Sequence, residues 1–298
     1  MKRQALLAFL LVVTGATARM EAQILTTAQA MQLPSEEADH RLFWGLSEIQ
    51  FGDLRLPAGP GPHPVVVLIH GGCWLSAYGM QYMGALGDAL KAEGIATWNI
   101  EYRRVGDPGG GWPGTMLDVG QAIDDLRFLA TRYPLDLDRV VLSGHSAGGQ
   151  LALWAATRPR AAAGNPLRGE DPLPVQGVVA LSPVADLAAS VSDETPICGR
   201  SAAQLLGGTP AEVPERYALT SPSALLPIGV PYAIVSGVED QFVPAAHVAA
   251  FADAARRAGD GVRLELVPEA GHFEVVAPGT VAFAVTVGYI RAMLGVGR

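Results

Sequence analysis

From residue 65 onward, short runs of apolar residues, many of them β-branched, alternate with longer segments in which apolar residues recur at helical spacing. Runs that are apolar at every position are typical of parallel strands buried on both faces. Strands that alternate with helices build βαβ units. The chain is therefore predicted to form an α/β fold, with a mostly parallel central sheet and helices on both faces. Residues 41–60, before the first run, are predicted to add one or two leading strands, although their apolar pattern is weaker. The predicted strands are 65–69, 95–100, 139–143, 175–181, 232–236 and 262–267, and the predicted helices are 80–93, 117–133, 147–157, 245–258 and 280–294.

The composition limits the kinds of partner that the chain can have. Of its 298 residues, 49% are apolar and 17% are charged, which is too hydrophobic for a disordered chain. No uninterrupted apolar run reaches the ~18–20 residues that a membrane span needs. The formal charge of −8 argues against a nucleic acid or an anionic membrane surface as partner. We expect a globular enzyme with a small-molecule substrate, without a membrane anchor and of undetermined oligomeric state.

Residues 1–18 have the features of a secretory signal peptide. Lys2 and Arg3 precede an apolar stretch at 5–13, and residues 16–18 (Ala-Thr-Ala) supply the small-x-small pattern of a cleavage site. The alternative is a tail or a first helix of a cytosolic protein. On the first interpretation the protein is secreted or periplasmic.

The remaining residues, 19–298, are predicted to form one catalytic domain. Within it, residues 185–231 are rich in proline and interrupt the alternation of strands and helices. We expect a cap segment here, over the carboxyl ends of the strands, where open α/β sheets bind their ligands. The two cysteines, Cys73 and Cys198, form a disulfide in an oxidising compartment or remain two buried thiols, and the sequence leaves both possibilities open.

The segment Gly-His-Ser-Ala-Gly at 144–148 lies between a predicted strand and a predicted helix. In that context the pattern predicts a nucleophile elbow, a tight turn that lifts the hydroxyl of Ser146 clear of the sheet. The flanking glycines are required where a Cβ would collide with the neighbouring backbone. The N-terminus of the following helix favours negative charge at the site.

A serine hydroxyl becomes a strong nucleophile only when a base takes its proton and a carboxylate orients that base. His272 follows the last predicted strand and Asp240 follows the one before it, so both are expected at the sheet edge that carries Ser146. Glu239 is the alternative to Asp240. The other late histidine, His247, is predicted to be an exposed residue of a helix.

The loop His-Gly-Gly-Cys-Trp at 70–74 follows the first strong strand. Consecutive glycines allow a backbone to aim N–H groups at the oxyanion of a tetrahedral intermediate. We assign this oxyanion hole to the backbone amides of Gly72, Cys73 and Ala147. His70 is interpreted as a brace of the loop rather than as a base.

Three aromatic residues near this loop, Trp74, Tyr78 and Trp112, are candidates for the wall of a substrate pocket, with burial in the core as the alternative. The sequence contains no pattern typical of a metal site, and we expect neither a metal nor a cofactor.

Together these motifs resemble those of α/β-hydrolases of the esterase/lipase type. The resemblance covers roughly residues 45–298, and its most specific parts are HGGCW at 70–74, GHSAGG at 144–149, GVEDQFVP at 237–244 and GHF at 271–273. The HGGxW loop is similar to that of kynurenine formamidase and of related carboxylesterases and acetyl-xylan or feruloyl esterases. The hormone-sensitive-lipase branch is also similar, but it usually has a third glycine where this chain has Cys73.

The resemblance implies an α/β-hydrolase fold and a serine carboxylesterase that acts on short-acyl or small aryl esters. An arylformamidase that hydrolyses N-formylkynurenine-type formamides is the second hypothesis, although a signal peptide argues against it. A hydrolase fold without activity, used only for binding, is the third.

Overall fold

The alternating segments form one eight-stranded sheet in a computed structural model that describes residues 24–191 and 196–297. The order of the strands across the sheet is β1-β2-β4-β3-β5-β6-β7-β8. β2 is antiparallel to β1 and β4, and the neighbouring strands from β4 to β8 are all parallel. The strands are β1 His40–Phe43, β2 Phe51–Arg55, β3 His63–Ile69, β4 Ala96–Ile100, β5 Leu135–His145, β6 Gly177–Leu181, β7 Tyr232–Gly237 and β8 Val262–Val267.

Short and medium-length helices connect these strands. Among the described residues, three segments are 3-10 helices, at Met80–Met83, Arg158–Arg160 and Pro222–Leu225. The α-helices are α1 Thr27–Ala30, α2 Gly84–Ala92, α3 Gly114–Asp124, α4 Leu126–Leu129, α5 Ala147–Thr157, α6 Leu187–Ser190, α7 Ser201–Leu206, α8 Pro214–Thr220, α9 Ala245–Arg257 and α10 Val281–Leu294. None of the helices in the described part of the chain is long and apolar enough to cross a membrane.

The core has a layer on each face of the sheet, as β3 shows. Every residue of β3 is buried, and its side chains alternate between the two layers because successive residues of a strand point to opposite faces. Val65 and Val67 contribute to the layer that also contains residues of α3, α5 and α9. Val66 and Leu68 contribute to the layer that contains residues of α2 and α10. The α/β fold predicted from the sequence is thus confirmed.

One predicted helix differs in its bounds. The helix expected at 117–133 begins earlier, at Gly114 directly after Pro113, and is divided into α3 and α4 at Asp125. The described residues of the segment 185–231 contain no strand, and their regular elements are α6, α7, α8 and a 3-10 helix.

The direction of the strands determines where the candidate residues lie. β3, β5, β7 and β8 are parallel, so their carboxyl ends meet at one edge of the sheet. The oxyanion loop follows β3, Ser146 follows β5, and the loops with Asp240 and His272 follow β7 and β8. The topology therefore brings four distant segments to one place.

Candidate active site

Ser146 occupies a strained turn between β5 and α5. Its backbone has φ 57° and ψ −119°, a conformation that non-glycine residues rarely adopt. The turn is tight enough that a Cβ on Gly144 would overlap the carbonyl of Gly148, and a Cβ on Gly148 would overlap the carbonyl of Ile69. Both glycines of the motif are thus required by close backbone approach, as the sequence predicted.

His272 and Asp240 form a hydrogen-bonded pair next to this turn. Nδ1 of His272 lies 2.7 Å from Oδ2 of Asp240. The other oxygen of Asp240, Oδ1, accepts the backbone N–H groups of Phe242 and Val243, each at 2.8 Å. Glu239, the alternative partner, has an exposed side chain. The structure thus joins His272 to Asp240.

The electrostatics of Asp240 favour its ionised form. Burial alone raises the pKa of this carboxyl, but the hydrogen bond and charge of His272 and the two backbone N–H groups outweigh that effect. The net result is a pKa below the ordinary value. Asp240 can therefore orient the imidazole ring and stabilise a positive charge on it.

The loop after β3 has the unusual backbone expected of an oxyanion hole. Gly72, Cys73 and Trp74 all have positive φ, at 99°, 53° and 57°. Among the described residues, the N–H groups of Gly72 and Cys73 donate to no other backbone group. The N–H of Ala147 opens helix α5, where the first N–H groups have no intrahelical acceptor. The assignment of these three amides to the oxyanion hole stays a prediction.

His70 braces this loop from beneath. Its Nδ1 lies 2.7 Å from the carbonyl of Gly71, and its Nε2 lies 2.7 Å from Oε1 of Glu101. The ring stacks on Tyr102 with a centroid distance of 4.3 Å. Burial raises the pKa of Glu101, but His70 and Arg104 outweigh it and bring the pKa below its ordinary value. A carboxylate therefore fixes the ring, as expected of a brace.

The two cysteines are joined in a disulfide, which decides between the two possibilities left open by the sequence. Cys73 and Cys198 have a Cα–Cα distance of 5.6 Å and are 125 residues apart in the chain. One end of the bond lies in the oxyanion loop and the other lies just before α7. The disulfide therefore ties the segment between β6 and β7 directly to the site.

A cavity of about 60 Å³ adjoins Ser146 and His272. Its wall is mostly apolar, and it includes residues from the amino-terminal segment, the oxyanion loop, the disulfide and the loops after β7 and β8. Larger grooves of about 570 and 660 Å³ lie elsewhere on the described part of the chain, and no triad residue lines either of them. The lining residues of the cavity are Thr27, Met31, Gly72, Cys73, Tyr78, Tyr82, His145, Ser146, Cys198, Phe242, His272 and Phe273.

Of the three aromatic residues proposed to bind substrate, only Tyr78 lines this cavity. Trp74 is fully buried in the core, and its Nε1–H donates to Oε1 of Gln150 at 3.0 Å. Trp112 packs against the core with the guanidinium of Arg216 5.5 Å from its ring. Trp74 and Trp112 therefore do not line this cavity, and Trp74 takes the alternative position in the core.

His247 also differs from its predicted exposed position. It is partly buried, and its Nε2 lies 3.3 Å from the N–H of Asp186 in the segment before α6. Burial lowers the pKa of this ring. Within residues 24–191 and 196–297, no group of three or more His, Cys, Asp or Glu side chains is arranged to hold a metal ion.

The amino-terminal segment, residues 24–31, was missed as part of the site. Glu274, two residues after His272, accepts the N–H of Leu25 at 2.6 Å through Oε1 and the N–H of Gly271 at 2.9 Å through Oε2. This buried carboxylate holds the segment against the histidine loop and places Met31 in the cavity wall. No local pattern in the sequence signals a contact of this range.

A mostly parallel sheet with a serine on a strand–helix turn, and a histidine–aspartate pair on later loops, defines an α/β-hydrolase. Residues 53–254 match the BD-FAE family, whose members have an esterase domain of the α/β-hydrolase type. The chain belongs to that family.

Comparisons with individual proteins agree with this assignment. A probable isoprenylcysteine alpha-carbonyl methylesterase of Arabidopsis thaliana is 34% identical over 101 residues, which are 34% of this chain and 21% of that protein. The esterase LipC of Mycobacterium tuberculosis is 30% identical over 117 residues, 39% of this chain and 28% of that protein. The matches thus span only 21% and 28% of the length of these relatives.

Among solved structures, a truncated carbohydrate esterase from gut microbiota superimposes with a TM-score of 0.74. It is 21% identical, and the match covers 89% of this chain and 100% of that one. At this identity the likeness supports the fold alone.

Proposed function

We propose that the protein is a serine carboxylesterase that hydrolyses small esters with short acyl groups. The observation that carries this proposal is the small cavity in which Ser146 and His272 meet the oxyanion loop, with His272 hydrogen-bonded to Asp240. Family membership and the esterase names of both curated relatives support the same reaction.

In the reaction, Oγ of Ser146 attacks the ester carbonyl while His272 takes its proton. The oxyanion accepts hydrogen bonds from the N–H groups of Gly72, Cys73 and Ala147. The tetrahedral intermediate collapses, and His272 returns the proton to the leaving alcohol. Water, activated by the same histidine, then adds to the acyl-enzyme, releases the carboxylic acid and restores Ser146. Asp240 holds the ring and balances its charge throughout.

The size of the cavity favours short acyl groups. A volume of about 60 Å³ holds a few water molecules, and therefore an acyl chain of a few carbons. Aromatic rings surround this space, those of Tyr82, Phe242 and Phe273. An acyl chain that binds here leaves water and packs against apolar surface, which is favourable. Longer chains require displacement of this wall.

The first experiment compares kcat/KM for 4-nitrophenyl acetate and for N-formylkynurenine, with Ser146→Ala as the blank. We expect a large preference for the ester, and a fall in activity with butyrate, hexanoate and octanoate esters. A preference for the formamide would replace this proposal with an arylformamidase. If Ser146→Ala retained the wild-type rate, the nucleophile would be misassigned.

Labelling with a fluorophosphonate addresses the third hypothesis, a non-catalytic fold. We expect stoichiometric modification of wild type at Ser146 and no modification of Ser146→Ala. Absence of labelling in folded wild type would favour the hypothesis of a hydrolase fold without catalytic activity.

We also propose that the protein is secreted or periplasmic. Residues 1–18, on which the predicted signal peptide falls, lie outside the described residues. The support is the sequence pattern itself together with the disulfide, because disulfides persist in oxidising compartments. Mass spectrometry of protein recovered from the periplasm or medium tests this, and a chain that still carries Met1 would contradict it.

A further inference from the structure

Two buried residues, Tyr82 and His145, line the cavity beside Ser146 and have no step in the reaction described above. Tyr82 belongs to the 3-10 helix before α2, and His145 is the residue directly before Ser146. They contact each other and the two loops on either side of the nucleophile. Each of their polar atoms has a hydrogen-bond partner within the described residues.

The hydrogen-bond partners determine which atom donates and which accepts in each bond of this network. Nε2 of His145 lies 2.9 Å from the carbonyl oxygen of His272, which can only accept, so Nε2 carries the proton. The neutral ring then accepts at Nδ1, and the hydroxyl of Tyr82 donates to it at 2.8 Å. The Tyr82 oxygen in turn accepts the N–H of Gly71 at 2.7 Å. Three bonds therefore connect the backbone beside the oxyanion hole to the backbone of the histidine that serves as base.

The surroundings keep both side chains in these forms. Burial, and to a smaller extent the nearby His272, lowers the pKa of His145 to about 3, so its ring stays neutral in the working range of an esterase. Burial raises the pKa of Tyr82, so its hydroxyl remains a donor. The ring of His145 also contacts that of His272, with centroids 4.5 Å apart. The network is fully satisfied, and such networks tend to fix a single arrangement.

We propose that Tyr82 and His145 are positioning residues, which hold the oxyanion loop and the His272 loop at the spacing that the transition state requires. The inference rests on the proposed esterase reaction. It assigns these residues no contact with the reacting atoms, and their effect passes through the backbone of Gly71 and His272. Small displacements of such groups reduce the rate of the chemical step more than they reduce substrate binding.

Tyr82→Phe is the principal test, because it removes one hydroxyl and leaves the ring in place. We expect kcat for 4-nitrophenyl acetate to fall about tenfold, with KM changed by less than about twofold. The matched control is Tyr232→Phe on β7, away from the site, which removes a partly buried hydroxyl that donates to Asp260. Active enzyme is counted by titration with a 4-nitrophenyl organophosphate, so that loss of folded protein does not count as loss of kcat.

Substitutions of His145 test the hydrogen bond to the carbonyl of His272. In His145→Gln the side-chain amide can still donate to the carbonyl of His272, whereas His145→Leu can make neither bond. We expect His145→Gln to keep kcat within about threefold of wild type and His145→Leu to lose about tenfold or more. This recovery by an amide distinguishes the hydrogen bond from simple filling of space.

The outcomes separate this inference from the esterase proposal. If wild type hydrolyses no ester, the proposed function fails. If wild type is active and Tyr82→Phe matches Tyr232→Phe in kcat per titrated site, the positioning role is overturned. If His145→Leu folds and equals His145→Gln in kcat, the bond to His272 has no role in positioning. The positioning role is supported if Tyr82→Phe and His145→Leu lose kcat while Tyr232→Phe and His145→Gln keep it.

Discussion

At the scale of single residues, the loop after β7 offers two adjacent carboxylates for one role. Asp240 is buried and bonded to His272, whereas Glu239 is exposed and lies outside that contact. The sequence favoured Asp240 but could not exclude Glu239, because both lie at the same carboxyl end of a strand. Burial and a 2.7 Å contact decide between them.

Asp240→Asn tests this assignment against Glu239→Gln. The asparagine cannot balance a positive charge on His272 and stabilises the wrong tautomer, so we expect kcat to fall by about 10³–10⁴. Glu239→Gln should change kcat by less than about twofold, since surface substitutions have small effects. Steady-state kinetics with 4-nitrophenyl acetate measures both, and equal losses in the two variants would contradict the choice of Asp240.

Local patterns located some residues of the site and missed others for physical reasons. Ser146 was found because its turn requires glycines close by in sequence, between a strand and a helix. Trp74 lies in the core, and the sequence left core and pocket wall both open because residue type alone does not reveal which way a loop residue faces. His145 is part of the predicted motif, but its proposed role depends on Tyr82 and His272, which are 63 and 127 residues away in the sequence.

At the scale of elements, the predicted strands coincide with β3 to β8 to within a few residues, since buried apolar runs mark parallel strands directly. The segment 24–31 gave no such signal. It contains only the four-residue helix α1, which Thr26 caps, and it is held by Glu274 from the far end of the chain. Contacts of that range depend on the assembled sheet.

The amino-terminal segment is expected to limit acyl length through Met31. Met31→Ala removes part of the cavity wall, so the ratio of kcat/KM for hexanoate to that for acetate should rise about five- to tenfold. Gln32→Ala, an exposed neighbour, is the control and should leave the ratio unchanged. An unchanged ratio in Met31→Ala would place the limit on acyl length in another wall.

At the scale of the whole molecule, the disulfide closes a long loop of the chain. Cys73 and Cys198 are 125 residues apart, so their bond restricts the unfolded chain strongly, and Cys198→Ser should lose about 2–4 kcal/mol of unfolding free energy. Urea denaturation measures this. Reduction of wild type should reproduce the loss, whereas the same reductant should leave Cys198→Ser unchanged. Equal stability of wild type and variant would show that the bond adds nothing to the fold.

The buried neutral ring of His145 makes the stability of the whole fold depend on pH. The unfolded chain binds a proton at this histidine near its ordinary pKa of 6.5, but the folded protein does so only near the lowered pKa of about 3. Between those values the unfolded state holds one more proton, so stability falls as the pH falls, by about 1.4 kcal/mol per pH unit. Asp240 and Glu101, whose pKa values are also lowered, lose their contribution only in more acidic solution, below about pH 4.

Urea denaturation of wild type and His145→Gln at several pH values between about 4.5 and 6.5 measures this slope. We expect the wild-type stability to decline more steeply toward acid, and the difference between the two proteins to shrink steadily as the pH falls. Burial also lowers the pKa of His247, which therefore adds to the pH dependence of stability in the same range. Because His247 is present in both proteins, its effect cancels in the difference between them. Parallel curves would mean that His145 binds its proton equally in the folded and unfolded states, and the ring would then not be held neutral between Tyr82 and His272.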